Sequence, residues 1–186
     1  KNANIRVDGT TLFTNLRNIY SAWSPRGYDF HYSDGTGASG PVGAECCYAV
    51  QCGVGYYVRN SHVVGKSLAA DQCGLALQTY GNAHFTCAGF TAEGSGKLID
   101  ASSDSWVSLD GGLCKDPGTA AGYSASSYSG NSAPPASPTG VYLMSLSDSV
   151  FSLSNFQFST DFTSVDRILN GGSNSKVRLS NLSRTG

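Results

Sequence analysis

Six cysteines, Cys46, Cys47, Cys52, Cys73, Cys87 and Cys114, are confined to one stretch of the chain. An even count without metal-ligand spacing predicts three disulfides and an oxidising compartment. Structural zinc sites use ligand pairs such as C-x2-C. Here Cys46 and Cys47 are adjacent, Cys47 and Cys52 have no matching pair downstream, and His31, His62 and His84 are scattered singly. No metal site is therefore expected. Neighbouring cysteines rarely bond each other, because a disulfide needs a near-perpendicular torsion and Cα atoms about 4.4–6.8 Å apart. Cys46 and Cys47 should reach different partners, on opposite faces if their segment is a strand. The sequence does not choose among the many pairings six cysteines allow.

Charged residues make up 13% of the chain and the net charge is −1. A surface solvated by hydroxyls and amides suits an extracellular protein or a subunit covered by its neighbours. Without a basic run, a nucleic-acid partner held through phosphates is not expected. No apolar stretch is long enough to cross a membrane as a helix. The chain opens at Lys1 without a leader, so a secretory or anchoring segment is expected to have been removed. One glycosylation sequon is present, Asn181-Leu-Ser.

The apolar spacing of Leu12, Phe13, Leu16, Ile19, Tyr20 and Trp23 predicts an amphipathic helix over 10–23, capped by Asp8 or Thr10 and stopped by Pro25. A second helix is expected over 67–80, from the Ser67 cap to Gly81, carrying Cys73. Strands are expected over 48–58, 84–90, 97–109, 141–162 and 176–182, with a bulge at Asn155 and a short helix over 164–169. Ser33–Gly40 is a glycine-rich loop without the frame of a phosphate loop. Residues 116–140 read as a Ser/Gly/Pro-rich linker between a disulfide-bonded part, 1–115, and a strand-rich segment, 141–186, that completes the same domain. No internal repeat is evident. The fold class expected is α+β: an N-terminal amphipathic helix on an antiparallel sheet.

Catalytic chemistry is hard to find. Neither a G-x-S-x-G elbow nor an H-E-x-x-H helix occurs. His62, His84, Glu93 and Arg59 form a ribonuclease-like set by residue type alone; ordinary loop and strand histidines explain them as well. Asp29 and Asp34 could bind calcium but lack the regular D-x-D-x-D spacing. Tyr28, Tyr32, Tyr56, Tyr57, Tyr123 and Tyr128 could line a sugar-binding or adhesive surface, or simply fill core and turns. No cofactor is implied.

The stretch Thr10-Thr-Leu-Phe-Thr-Asn-Leu-Arg-Asn-Ile-Tyr20, with Asp71-Gln-Cys-Gly-Leu-Ala-Leu77 and Gly112-Leu-Cys114, resembles a truncated type IVb pilin or pilin-like subunit. The resemblance implies the exposed half of a long helix and a Cys73–Cys114 disulfide. Four extra cysteines and the long segment after Cys114 depart from the pattern, and the apolar half of the helix is missing. The leading expectation is an extracellular structural or adhesive protein that self-associates into a filament. Its contacts would fall on Phe13, Leu16, Tyr20, Phe151, Leu153, Phe156 or Phe158, and its outside partners would be glycans or a host surface. A secreted binding module or effector, and a secreted hydrolase with an unrecognised site, are the rival readings.

Overall fold

The computed structural model describes residues 3–8, 14–32, 41–116, 142–159, 167–172 and 174–185. Among these there is no helix. The chain winds into a parallel β-solenoid of two sheets. The seven-stranded sheet stacks β1 (Ile5–Asp8), β4 (Arg26–His31), β7 (Val54–Arg59), β9 (Leu75–Tyr80), β11 (Lys97–Ser102), β13 (Tyr142–Ser147) and β15 (Arg167–Gly171) in that order. The ten-stranded sheet runs from β2 (Asn15–Arg17) through β5 (Val42–Glu45), β8 (His62–Asp71), β10 (His84–Glu93), β12 (Trp106–Lys115) and β14 (Val150–Ser159) to β16 (Lys176–Ser180). Three short strands extend it: β3 (Tyr20–Ala22), β6 (Tyr48–Val50) and β17 (Ser183–Thr185).

Equivalent positions in successive coils hydrogen-bond across one rung. Gln51 meets Gln72 at a separation of 21 residues, and Cys73 meets Ser95 at 22. The expectation of no internal repeat is thus overturned, and the repeat is visible in the chain. Ser103-Asp-Ser-Trp-Val-Ser-Leu109 aligns with Ser147-Asp-Ser-Val-Phe-Ser-Leu153 and with Ser173-Asn-Ser-Lys-Val-Arg-Leu179. Ladder pairing puts Trp106, Val150 and Lys176 in one row.

Each complete coil turns at left-handed residues, which only certain side chains accept at low cost. One set kinks the strands of the wider sheet: Asn18, Cys46, Ser67, Gly89, Gly111, Asn155 and Asn181. The expected bulge at Asn155 is one of these kinks. Because the kink adds one residue to a period-2 pattern, inward positions fall three apart and imitate a helix. That is why 10–23 and 67–80 read as helical. Asn15–Arg17 and Tyr20–Ala22 are strands flanking the kink at Asn18, and 67–80 runs through β8, a corner at Gln72 and β9. The α+β assignment and its antiparallel sheet are corrected to an all-β parallel architecture. The linker after Asp116, the glycine-rich loop, the start of the first helix with Phe13, and the first half of the short helix lie outside the described residues. The last three residues of that short helix belong to β15.

Inside, the rows are continuous. Ile5, Tyr28, Tyr56, Leu77, Ile99, Met144 and Leu169 stack along the seven-stranded sheet. Tyr28 and Tyr56 are fully buried, their rings stacked 4.8 Å apart. Their hydroxyls donate to the carbonyls of Ile19 (2.5 Å) and Cys47 (2.6 Å), so neither polar atom is stranded. Tyr32 and Tyr57 are buried as well, so none of these four tyrosines offers an open surface; Tyr123 and Tyr128 lie outside the described residues. Phe85, Phe90, Phe151, Leu153, Phe156 and Phe158 fill the wider sheet's interior.

The cysteines are not bonded. Cys46 is exposed and Cys47 buried; both lie between β5 and β6, where the left-handed kink is Cys46, so they part at a kink and not by alternation along a strand. Cys52 and Cys73 occupy one inward row between Ser24 and Ser95, all four buried. The Cys73 thiol interacts with Cys52, which keeps the Cys73 proton in place and eases ionisation of Cys52. Cys73 and Cys114 lie in different rows two rungs apart, roughly 9.6 Å, beyond the reach of a disulfide. The three expected disulfides are therefore replaced by five buried thiols packing as small apolar side chains and one exposed thiol.

Candidate functional site

Two surfaces stand out once the rows are laid down, and both lie towards the C-terminal end. The first is the end itself. Phe151 and Leu153 are buried, and the residues stacked on them, Val177 and Leu179, are 39% and 45% exposed. Leu182 is 41% exposed. These side chains continue interior rows with nothing above them among the described residues, and β15 and β16 each pair on one side only. At the other end, β1 and β2 also pair on one side, and Ile5, Val7, Leu16 and Ile19 are half-buried against the core.

The second surface is a groove on the outer face of the wider sheet. His62, His84, Trp106, Val150 and Lys176 form one outward row. Their rings approach one another, His62 to His84 at 5.8 Å and His84 to Trp106 at 5.7 Å. Trp106 is half exposed. It stands between two open cavities of about 560 Å³ each, which share Trp106, Val150 and Lys176. One is walled by the corner column Asp104, Asp148 and Asn174, all left-handed. The Asp104 N–H donates to the Asp148 carbonyl at 2.6 Å, and Asn174 Nδ2 donates to the Asp148 carboxylate at 3.1 Å. The other cavity is floored by Ser108, Ser152 and Arg178.

The ribonuclease-like set does not converge. His62 and His84 sit at the starts of their strands, while Glu93 ends β10 beyond the Gly89 kink and binds Lys115 at 2.5 Å. Arg59 lies 5.4 Å over the Tyr80 ring. Burial, with the neighbouring His84 second, lowers the pKa of His62 and favours its neutral form. Asp29 is buried against Arg26 at 3.0 Å, and Asp34 lies outside the described residues. Among the described residues no three His, Cys, Asp or Glu side chains cluster as metal ligands, and no helix is long and apolar enough to cross a membrane.

Of the expected association residues, Phe151, Leu153, Phe156 and Phe158 are core. Leu16 and Tyr20 lie at the N-terminal end, Tyr20 57% exposed and 5.5 Å from the Tyr48 ring. Of the groove residues, His62 and His84 are expected only as members of a hydrolytic set, and Trp106, Asp104, Asp148, Lys176 and Arg178 not at all. Their signal was the repeated Ser-Asp-Ser motif, whose Asp and Trp positions mark a corner and an outward row. No family model, curated protein or solved structure matches the chain.

Proposed function

We propose that this chain is a structural protein of the cell exterior that works by association, stacking end to end into a filament. The observation that supports it is the open C-terminal rung, where Val177, Leu179 and Leu182 are exposed above buried interior rows. In a parallel solenoid the two end strands of each sheet point the same way. A second copy's β2 could therefore continue the ladder beyond β16, setting Leu16 on Leu179, and its β1 could continue beyond β15, setting Ile5 on Leu169. Such a contact is heterologous and does not close, so it propagates. Unpaired strand edges supply main-chain donors and acceptors for it. With the cysteines unbonded, the low charge is what supports placing the protein outside the cell.

Covering three residues, each roughly two-fifths exposed, is worth about 1 kcal/mol apiece, about 3 kcal/mol together. Leu179→Glu should abolish concentration-dependent growth in sedimentation velocity while leaving the monomer's melting curve nearly unchanged. Growth of the variant equal to that of the native chain, or a native chain monomeric at high concentration, overturns the reading.

A further inference from the structure

We infer that the groove astride Trp106 is a binding site for an extended oligosaccharide lying along the solenoid axis. The floor is a sheet face, not an edge. The central strands β10, β12 and β14 are each paired on both sides, so their main-chain groups are already engaged. A peptide adding as a strand has nothing to pair with there. Recognition must come from side chains, and those present are a half-exposed indole, an imidazole, carboxylates, an amide and hydroxyls. Flat aromatic faces with polar groups at their edges are the complement of a pyranose ring, which has apolar C–H faces and an equatorial belt of hydroxyls.

The spacing agrees. Successive rungs of the row His62, His84, Trp106, Val150 step by about 4.8 Å, close to the length of one sugar unit in an extended β-linked chain. Charge narrows the class further. Asp104 and Asp148 line one cavity, Arg178 the other and Lys176 both, so the groove carries both signs and neither a polyanion nor a polycation is favoured. A neutral glycan fits. Asp148, fixed by Asn174 and by Ser147 Oγ at 3.4 Å, presents acceptors for sugar hydroxyls.

The groove runs along the side of the solenoid and reaches the end strand, where Lys176, Val177 and Arg178 line one cavity; Leu179 lines neither cavity, so a change there separates this site from end-to-end stacking. The test uses the Trp23→Phe chain, leaving Trp106 as the sole indole emitter, since the protein has two tryptophans. It is titrated with short β-linked glucose, xylose and N-acetylglucosamine oligomers. At least one series should shift the Trp106 emission saturably, with affinity rising with oligomer length. In the Trp23→Phe background, Trp106→Phe should retain most of the affinity by calorimetry. Trp106→Ala should lose about tenfold or more, and Asp148→Asn should weaken binding with an unchanged melting curve. Leu179→Glu should bind as the parent does, which separates this site from the filament reading. Absence of binding to all three series, equal affinity of Trp106→Ala, or displacement of the sugar by an apolar peptide overturns the assignment.

Discussion

Buried thiols leave a signature that disulfides do not: they titrate. Burial pushes Cys87 and Cys114 from an ordinary 9.0 up to about 12. Each is raised in the folded state, so its contribution is fully present below the unfolded value and is lost as pH climbs towards 12. In that window the unfolded chain binds fewer protons, and stability falls with pH. One pKa unit corresponds to about 1.4 kcal/mol, so the two thiols together cost about 3 kcal/mol at pH 10 and about 5 kcal/mol at pH 11. Tyr28 and Tyr56, fully buried and raised above 10.0 chiefly by burial, act in the same direction. The thiols' share alone, about 5 kcal/mol, reaches the lower end of the whole stability of an ordinary domain, so a steep loss of stability is expected by that pH. The assay is urea denaturation followed by circular dichroism at stepped pH, under a thiol reductant that keeps the side chains reduced. Cys114→Ala should flatten the loss above pH 9 by about 1.4 kcal/mol per pH unit. An alkaline arm identical in the variant and the native chain refutes the reasoning. So does a count of fewer than six thiols in the denatured, unreduced protein.

Two neighbouring glycines should behave very differently. A Cβ on Gly112 meets the Phe90 carbonyl oxygen at 2.2 Å and Phe156 Cε2 at 2.7 Å, so Gly112→Ala should cost about 3 kcal/mol or more in denaturant titration. Gly111, left-handed with open space around it, should cost only about 1 kcal/mol on the same change. Equal costs would show that the sheet can shift at Gly112. Tyr56→Phe strips the proton donor from two carbonyls, those of Cys47 and Ala69, and should lose about 1–2 kcal/mol by equilibrium unfolding. A neutral substitution would mean that water replaces the hydroxyl.

Strand content in the second half was legible because Phe151, Leu153, Phe156 and Phe158 alternate, and even their phase slip at Asn155 appeared as the kink it is. The parallel stacking was not. Its evidence lies in residues about one coil apart, such as Gln72, Gly94 and Asp116 or Ser67, Gly89 and Gly111, all left-handed. A window of one helix or strand cannot see that distance. The repeat is also degenerate: a left-handed corner accepts Gly, Asn, Asp, Ser or Gln, and an inward row accepts Cys, Leu or Phe according to local space. The same degeneracy misled the cysteine reading. Cys87 stands in a row with Gly65, Leu109 and Leu153, where the fold asks for apolar filling of whatever size the rung allows and not for a bond.

The step between rungs is set by hydrogen bonds, and the length of chain between them does not meter it. Ile99 pairs with Met144 as directly as it pairs with Leu77, although twice as much sequence intervenes on one side. A coil boundary is therefore a place where the protein can lengthen without losing register, since closing a longer loop costs only slowly more. Variation at such a boundary changes what the rod carries while leaving untouched what it is built from.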